Sequence, residues 1–346
     1  MAERGGVGLV QITLWRLREL WREPEAIFWV FAFPILLALA LGVAFKNRGH
    51  QALTIAVQEG PGADTLVTAL GSAEGLRIVA LDSVEAYQRL RSGRVAMVVI
   101  PGNPITVQYD STRDESRLAR LETDRALQVA AGRHDVLWLR DALVTEPGSR
   151  YIDFLIPGLL GLNIMGTGMW GIGFGIVRAR QGKLLRRLHA SPMRQSDFLL
   201  AQALARLVFL VLEVVTVLAF GALAFGVPIR GSLALVAAIV LAGALAFSGL
   251  GLLVATRART IEGVSGLMNL VMVPMWIFSG VFFSWSHFPD AIQPFIRLLP
   301  LTALNDGLRA VLLDGTGVAG VWTLLANLVV WGVGTFAVSV KIFRWT

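Results

Sequence analysis

Six stretches of this chain are long, apolar and nearly free of charge: Ile27 to Phe45, Phe154 to Val177, Leu207 to Phe225, Gly231 to Thr256, Gly263 to Ser286 and Gly315 to Val340. A hydrocarbon core about 30 Å thick needs roughly 20 apolar residues at a helical rise of about 1.5 Å each. Inside it a helix satisfies its own backbone polar groups. Runs of this length and number predict six transmembrane helices, the first kinked by Pro34. A cleaved signal peptide is the competing reading of the first run, but the long polar lead and the length of the run count against it. At 55% hydrophobic and 16% charged residues, the whole chain is too apolar for an ordinary soluble domain.

Charge sets the orientation. The short segments 1–26, 178–206, 257–262 and 341–346 hold 15 Lys or Arg, whereas 226–230 and 287–314 hold 3. The positive-inside rule therefore predicts that both termini are cytoplasmic. The net charge of +7 is explained by these flanks and does not call for a nucleic-acid partner. Residues 1–26 read as an amphipathic helix on the cytoplasmic membrane surface, or else as an extended start of the first span, because Leu9, Val10, Leu14, Leu17, Leu20 and Trp21 share an arc away from Arg18, Glu19, Arg22 and Glu23.

Between the first span (27–45) and the second lies the one portion with soluble character, residues 46–153, with 13 Lys or Arg against 14 Asp or Glu. Strand patterns at 53–57, 76–80, 95–101 and 105–109 alternate with helical ones at 63–70, 84–91 and 115–131. This order predicts a small α/β domain. The topology places it outside the cytoplasm. Residues 154–346 then carry spans two to six, a cytoplasmic segment at 178–206, and an outer-leaflet re-entrant segment at 284–314, where Pro289, Pro294 and Pro300 break any full span. Trp276 and Trp285 fit an interfacial belt.

Several chemistries are absent. There are no cysteines, the four histidines are scattered, and Gly182-Lys183 is followed by Leu184 with Val177 where a phosphate-binding loop needs its first glycine. Glu213 is the acidic residue well inside a predicted span, where a charge costs about 2.5–3.5 kcal/mol on insertion scales, so it must face protein or water. It shares a helical face with Phe209, Leu210, Thr216 and Val217, and its partner is expected from another helix, from water or from protonation. Glu213, Asn163 and Asn269 are candidates for a conduit or an interface. Asn163, Asn269 and Asn327 also read as interhelical packing groups, and the glycines at 166, 168, 171, 173 and 175 as sites of close helix approach.

Residues 178–192 hold five cations and no acid, with leucines at 184, 185 and 188. By physics alone this elbow is either a segment that transmits a push between two spans or a basic loop that fixes topology and attracts anionic lipid. Its run Gly182, Leu184 or Leu185, Arg187-Leu188 and Pro192 resembles the intracellular segment of ABC-2 type transporter permeases. Four further stretches agree: Ile156-Pro157-Gly158, Ser279-Gly280-Val281-Phe282-Phe283, Leu299-Pro300-Leu301-Thr302 and Asp306-Gly307-Leu308-Arg309. The insertion is similar too, in Leu90 to Val95 and Ile100-Pro101. The resemblance implies a bacterial inner-membrane exporter permease that binds no cofactor itself. It implies a cytoplasmic ATPase subunit that binds ATP and Mg, and a second permease copy or paralogue. Lys183, Leu184, Arg186, Arg187, Leu188 and Pro192 would then be the ATPase-coupling residues. The substrate would be amphiphilic, lipid-like, drug-like or a glycan. A membrane-anchored receptor or assembly factor, whose outer domain binds a ligand without transport, is the alternative.

Overall fold

The computed structural model describes residues 14, 18, 21–46, 52–73, 75–133, 148, 150–182, 195–258 and 260–342. The chain divides into two compact units, Asn47–Leu143 and the remainder. Most of the predicted helix at 1–26 lies outside the described residues.

The smaller unit is a four-stranded sheet of β1 (Leu53–Gln58), β2 (Leu76–Leu81), β3 (Met97–Ile100) and β4 (Thr106–Tyr109), in the order β2-β1-β3-β4. β1 pairs parallel with β2 and β3, whereas β3 pairs antiparallel with β4, with Val99 opposite Val107. Alternate residues point to opposite faces, so two small cores form. Ile55, Val57, Met97 and Val99 pack with Leu66, Leu70 and Ala119; Ala56 and Val98 pack with Leu81, Ala86 and Val95. Leu66, Leu70, Ala86 and Ala119 come from the helices Ala63–Gly71, Ser83–Arg91 and Asp114–Ala130, the second of them N-capped by Asp82, whose carboxylate accepts from the Val84 and Glu85 amides at 2.8 Å. The predicted α/β pattern is present in full. The third strand starts at Met97 rather than Val95.

Among the described residues, the larger unit has six helices long and apolar enough to cross a membrane. Counting from the chain start, α1 (Pro24–Ile27) and α2 (Phe33–Lys46) flank a π-turn at Phe28–Ala32; α3 to α5 are the three helices of the sheet unit; then come α6 (Tyr151–Gln181), α7 (Gln195–Phe225), α8 (Leu233–Arg257) and α9 (Ile261–Phe278). Two short helices, α10 (Gln293–Leu298) and α11 (Pro300–Leu312), precede α12 (Val318–Ile342). The second and fourth spans form the centre, with 78% and 61% of their apolar windows buried; the first, fifth and sixth, at 22%, present most of their surface outward. Close approach at the centre comes from small residues. A Cβ on Gly168 would sit 2.9 Å from the Phe247 Cβ, and one on Gly251 would sit 2.8 Å from the Met169 carbonyl oxygen. Gly173 likewise faces Met268, but Gly166, Gly171 and Gly175 have open space beside them, so the predicted stripe acts at only some of its positions.

Several span boundaries differ from expectation, two of them for a visible local reason. The second span begins at Tyr151, because the buried Asp153 accepts from the Gly148 amide at 2.8 Å, the Arg150 amide at 3.1 Å and the Arg150 guanidinium at 2.8 and 2.9 Å. A carboxylate satisfied in this way belongs in a first helical turn. The fifth span stops at Phe278, where Gly280 takes φ of 70° and ends the helix in a left-handed cap. The third span belongs to a 31-residue helix that already starts at Gln195.

Candidate functional site

The first span is interrupted where its sequence demands it. Pro34 has no N–H, so in an α-helix the carbonyl four residues back, that of Val30, loses its donor and meets the proline ring. The chain answers with the π-turn at Phe28–Ala32, in which the Phe33 amide reaches back to the Phe28 carbonyl. The Val30 carbonyl finds a replacement donor on the second span, the Asn163 side-chain amide at 2.7 Å. Pro34 and Asn163, 129 positions apart in the chain, thus solve one problem together.

One turn further along α6, the Thr167 hydroxyl lies 2.8 Å from the Asn163 carbonyl oxygen and 3.2 and 3.5 Å from the two carboxyl oxygens of Glu213. It also accepts from the Arg206 guanidinium at 2.5 Å. Arg206 Nη1 stands 3.9 Å from Glu213 Oε2, so the ion pair is loose and Thr167 bridges it. Glu213 is fully buried, as are its face-mates Phe209, Leu210 and Val217. Phe209 also meets Phe31 of the π-turn, ring centroids 5.6 Å apart. A polar network therefore joins the first, second and third spans.

Two of the three candidate membrane residues, Asn163 and Glu213, thus come together; Asn269 does not. It is exposed on α9, so the expected packing against another span is not realised within this chain. The expectation that Glu213's partner lies off its own helix is half right. Thr167 is on another helix, but the cation is Arg206, two turns earlier on the same one. By sequence, Arg206 closes the basic cytoplasmic flank 178–206. Its spacing of seven residues from Glu213, which puts both on one helical face, is the signal that could have found it. Asn327 does pack between helices, donating to the Leu298 carbonyl at 3.3 Å beside Trp331, which donates to the same oxygen at 2.8 Å.

A second buried cluster sits around the short helices. Arg309 donates to the Phe154 carbonyl through Nε and Nη2, both at 3.2 Å, and through Nη2 to the Gly280 carbonyl. Its guanidinium carbon stands 3.6 Å from the Phe154 ring centroid, and Nη1 lies 3.5 Å from Asp306. Trp285 donates to the other Asp306 oxygen at 2.9 Å and carries Arg297 over its ring at 4.6 Å, so its indole serves this cluster. Asn305 donates to the Ser279 carbonyl at 2.9 Å. Any side chain at Gly158 would run into the Val281 carbonyl and Arg309. The stretches around Gly158, Gly280 and Arg309, far apart in sequence, are one site in space.

The model of the ABC-2 type transporter family matches residues 120–313. The chain belongs to the ABC-2 type transporter family. Among relatives, ABC transporter G family member 20 of Dictyostelium discoideum is 27% identical over 188 residues, 54% of this chain and 26% of that protein. The inner membrane transport permease YhhJ of Escherichia coli (strain K12) is 26% identical over 175 residues, 50% of this chain and 47% of that one. The probable multidrug ABC transporter permease YbhR of the same strain is 24% identical over 199 residues, 58% and 54% of the two chains. The chain thus spans from a quarter to about half the length of these relatives.

In this ABC-2 chain the elbow residues Lys183, Leu184, Arg186, Arg187, Leu188 and Pro192 lie outside the described residues. What flanks them is described. α6 runs to Gln181 and α7 resumes at Gln195, each 31 residues long, more than a span requires. Just before the elbow, Arg180 donates to the carbonyls of Ala255 at 2.9 Å and Ala258 at 3.3 Å, covering the exposed end of the fourth span. Among the described residues no group of His, Cys, Asp or Glu could hold a metal ion.

Proposed function

We propose that this chain is the membrane-spanning permease subunit of an ATP-binding cassette exporter. A separate cytoplasmic ATPase binds ATP and Mg, and a second permease copy or a paralogue completes the membrane part. In this reading the protein lies in a bacterial inner membrane with both termini in the cytoplasm and the α/β unit outside. The elbow at 178–192 receives the ATPase. The observation that carries the reading is the pair of long helices flanking that elbow. A push on a short basic segment fused to two continuous helices is carried into both of them. The Arg180 hydrogen bonds draw the fourth span into the same motion. An amphiphilic or drug-like cargo suits an apolar route and agrees with the multidrug name of one relative.

Replacing Arg187 and Leu188 together with Ala should weaken co-purification of the ATPase or uncouple its hydrolysis from export. Unchanged binding together with unchanged export would sink the proposal.

One observation favours a second reading, a ligand-binding receptor. The α/β unit carries a surface pocket of about 310 Å³ lined by Leu90, Arg91, Tyr109, Asp110 and Arg113. The Thr112 hydroxyl and amide hold the Asp110 carboxyl below its usual range there. ATPase activity that rises on adding the permease separates the readings in favour of export.

A further inference from the structure

We propose that Thr167 is a positioning residue that lets the third span set the bend of the first. The inference starts from hydrogen-bond valence. A threonine hydroxyl has one hydrogen to donate and two lone pairs to accept with. Arg206 already donates into one lone pair at 2.5 Å. The single hydrogen has competing acceptors on two helices: the Asn163 carbonyl at 2.8 Å and the Ile164 carbonyl at 3.4 Å on its own, and the Glu213 carboxyl at 3.2 Å on the third span. It serves one at a time.

Each choice has a structural consequence. When the hydroxyl bonds back to the carbonyl four residues earlier, it bends its own helix at that turn. That turn begins at Asn163, whose side-chain amide holds the Val30 carbonyl. When Glu213 takes the hydrogen instead, the back-bond is released and α6 straightens at Asn163. The amide then shifts relative to Val30. Val30 lies at the proline-interrupted turn, where helices bend most readily. The third span holds both Arg206 and Glu213 on α7, the helix that continues from the elbow, so an axial shift of α7 moves both groups past Thr167 together. The looseness of the ion pair matters here. At 3.9 Å, Arg206 and Glu213 leave each other free to exchange partners, whereas a bidentate pair would hold one geometry.

The consequence is a mechanical link across three spans: α7 moves, the Thr167 hydroxyl changes acceptor, Asn163 shifts, and the arm of the first span before Pro34 swings. The link uses only residues of this chain. It needs no ATPase to be tested, so its failure would leave the exporter reading standing.

The chain has no cysteine, which allows site-specific spin labels without background. Labels at Glu25, exposed on the arm before the π-turn, and at Arg257, exposed at the end of the fourth span, report that swing in the full-length protein in lipid nanodiscs. A change of about 20° at the bend moves the tip of an arm about 10 Å long by about 3–4 Å. Glu213→Gln, which keeps the side-chain shape but weakens the competing acceptor, should shift the 25–257 distance towards the back-bonded value by up to that amount. The same substitution made in a Thr167→Val background should produce no further shift, because the hydroxyl that carries the signal is gone. Thr167→Ser should restore the response. A purely structural Thr167 would lower thermal stability in the valine variant and leave the response to Glu213→Gln intact. An unmoved distance in Glu213→Gln, or an equal shift with and without the hydroxyl, would overturn the proposal.

Discussion

The two buried arginine clusters of the membrane unit are built from the same parts and differ in how completely they are satisfied. Arg309 and Arg206 each pair with an acid on their own helix, Asp306 three residues before and Glu213 seven residues after. Arg309 meets two backbone carbonyls, a carboxylate and an aromatic face, so every side of its guanidinium is engaged. Arg206 donates to one hydroxyl, stands 3.9 Å from its acid and leaves Nε buried without a partner among the described residues. A saturated network fixes one arrangement, whereas an unsaturated one can exchange partners at little cost. The comparison separates a lock, which joins the start of the second span to the end of the fifth, from a joint, which links spans one to three.

Removing the lock should be the more destructive change. Arg309→Met takes the chief cation from the half-buried Asp306 and strips the donor from the Phe154 and Gly280 carbonyls, so it should cost about 3 kcal/mol. The detergent-solubilised protein should show a sharply lower thermal midpoint or fail to accumulate. Glu213→Leu, the matching change at the joint, should cost less, about 2 kcal/mol, because Arg206 keeps its bond to Thr167 and no backbone carbonyl loses a donor. If Glu213→Leu proves as damaging as Arg309→Met, the distinction between lock and joint fails. Asn163→Ala strips the donor from Val30 and should cost about 1–2 kcal/mol while leaving the fold intact, measurable as a modest drop in melting temperature. Outside the membrane unit, Asp82→Ala removes an exposed helix cap and should cost about 1 kcal/mol. It should leave transport unchanged, which an export assay can check.

What the sequence makes legible follows from the range of the interactions concerned. Spans and the strands and helices of the α/β unit depend on local periodicity and length, so Leu53 to Gln58 or Leu233 to Arg257 can be read directly. Pro34 is legible as an interruption because its effect reaches only four residues. Its remedy is not, since nothing near Pro34 points to Asn163. Arg206 was within reach of a helical-face argument and escaped it by standing at the edge of a basic flank. The Arg309 cluster illustrates the opposite case. Its four stretches drew notice through a family resemblance, yet only the fold shows that Phe154, Gly158, Gly280 and Arg309 touch.

If the chain is the exporter permease proposed above, the joint moves during the transport cycle while the lock does not. Two spin-label pairs in the reconstituted complex with its ATPase test it most directly: Leu36 with Val215 across spans one and three, and Phe295 with Leu233 between the short helices and the fourth span, all four positions exposed. On adding ATP and Mg under conditions that block hydrolysis, the first distance should change and the second should hold. A fixed first distance together with a shifted second one would contradict the account.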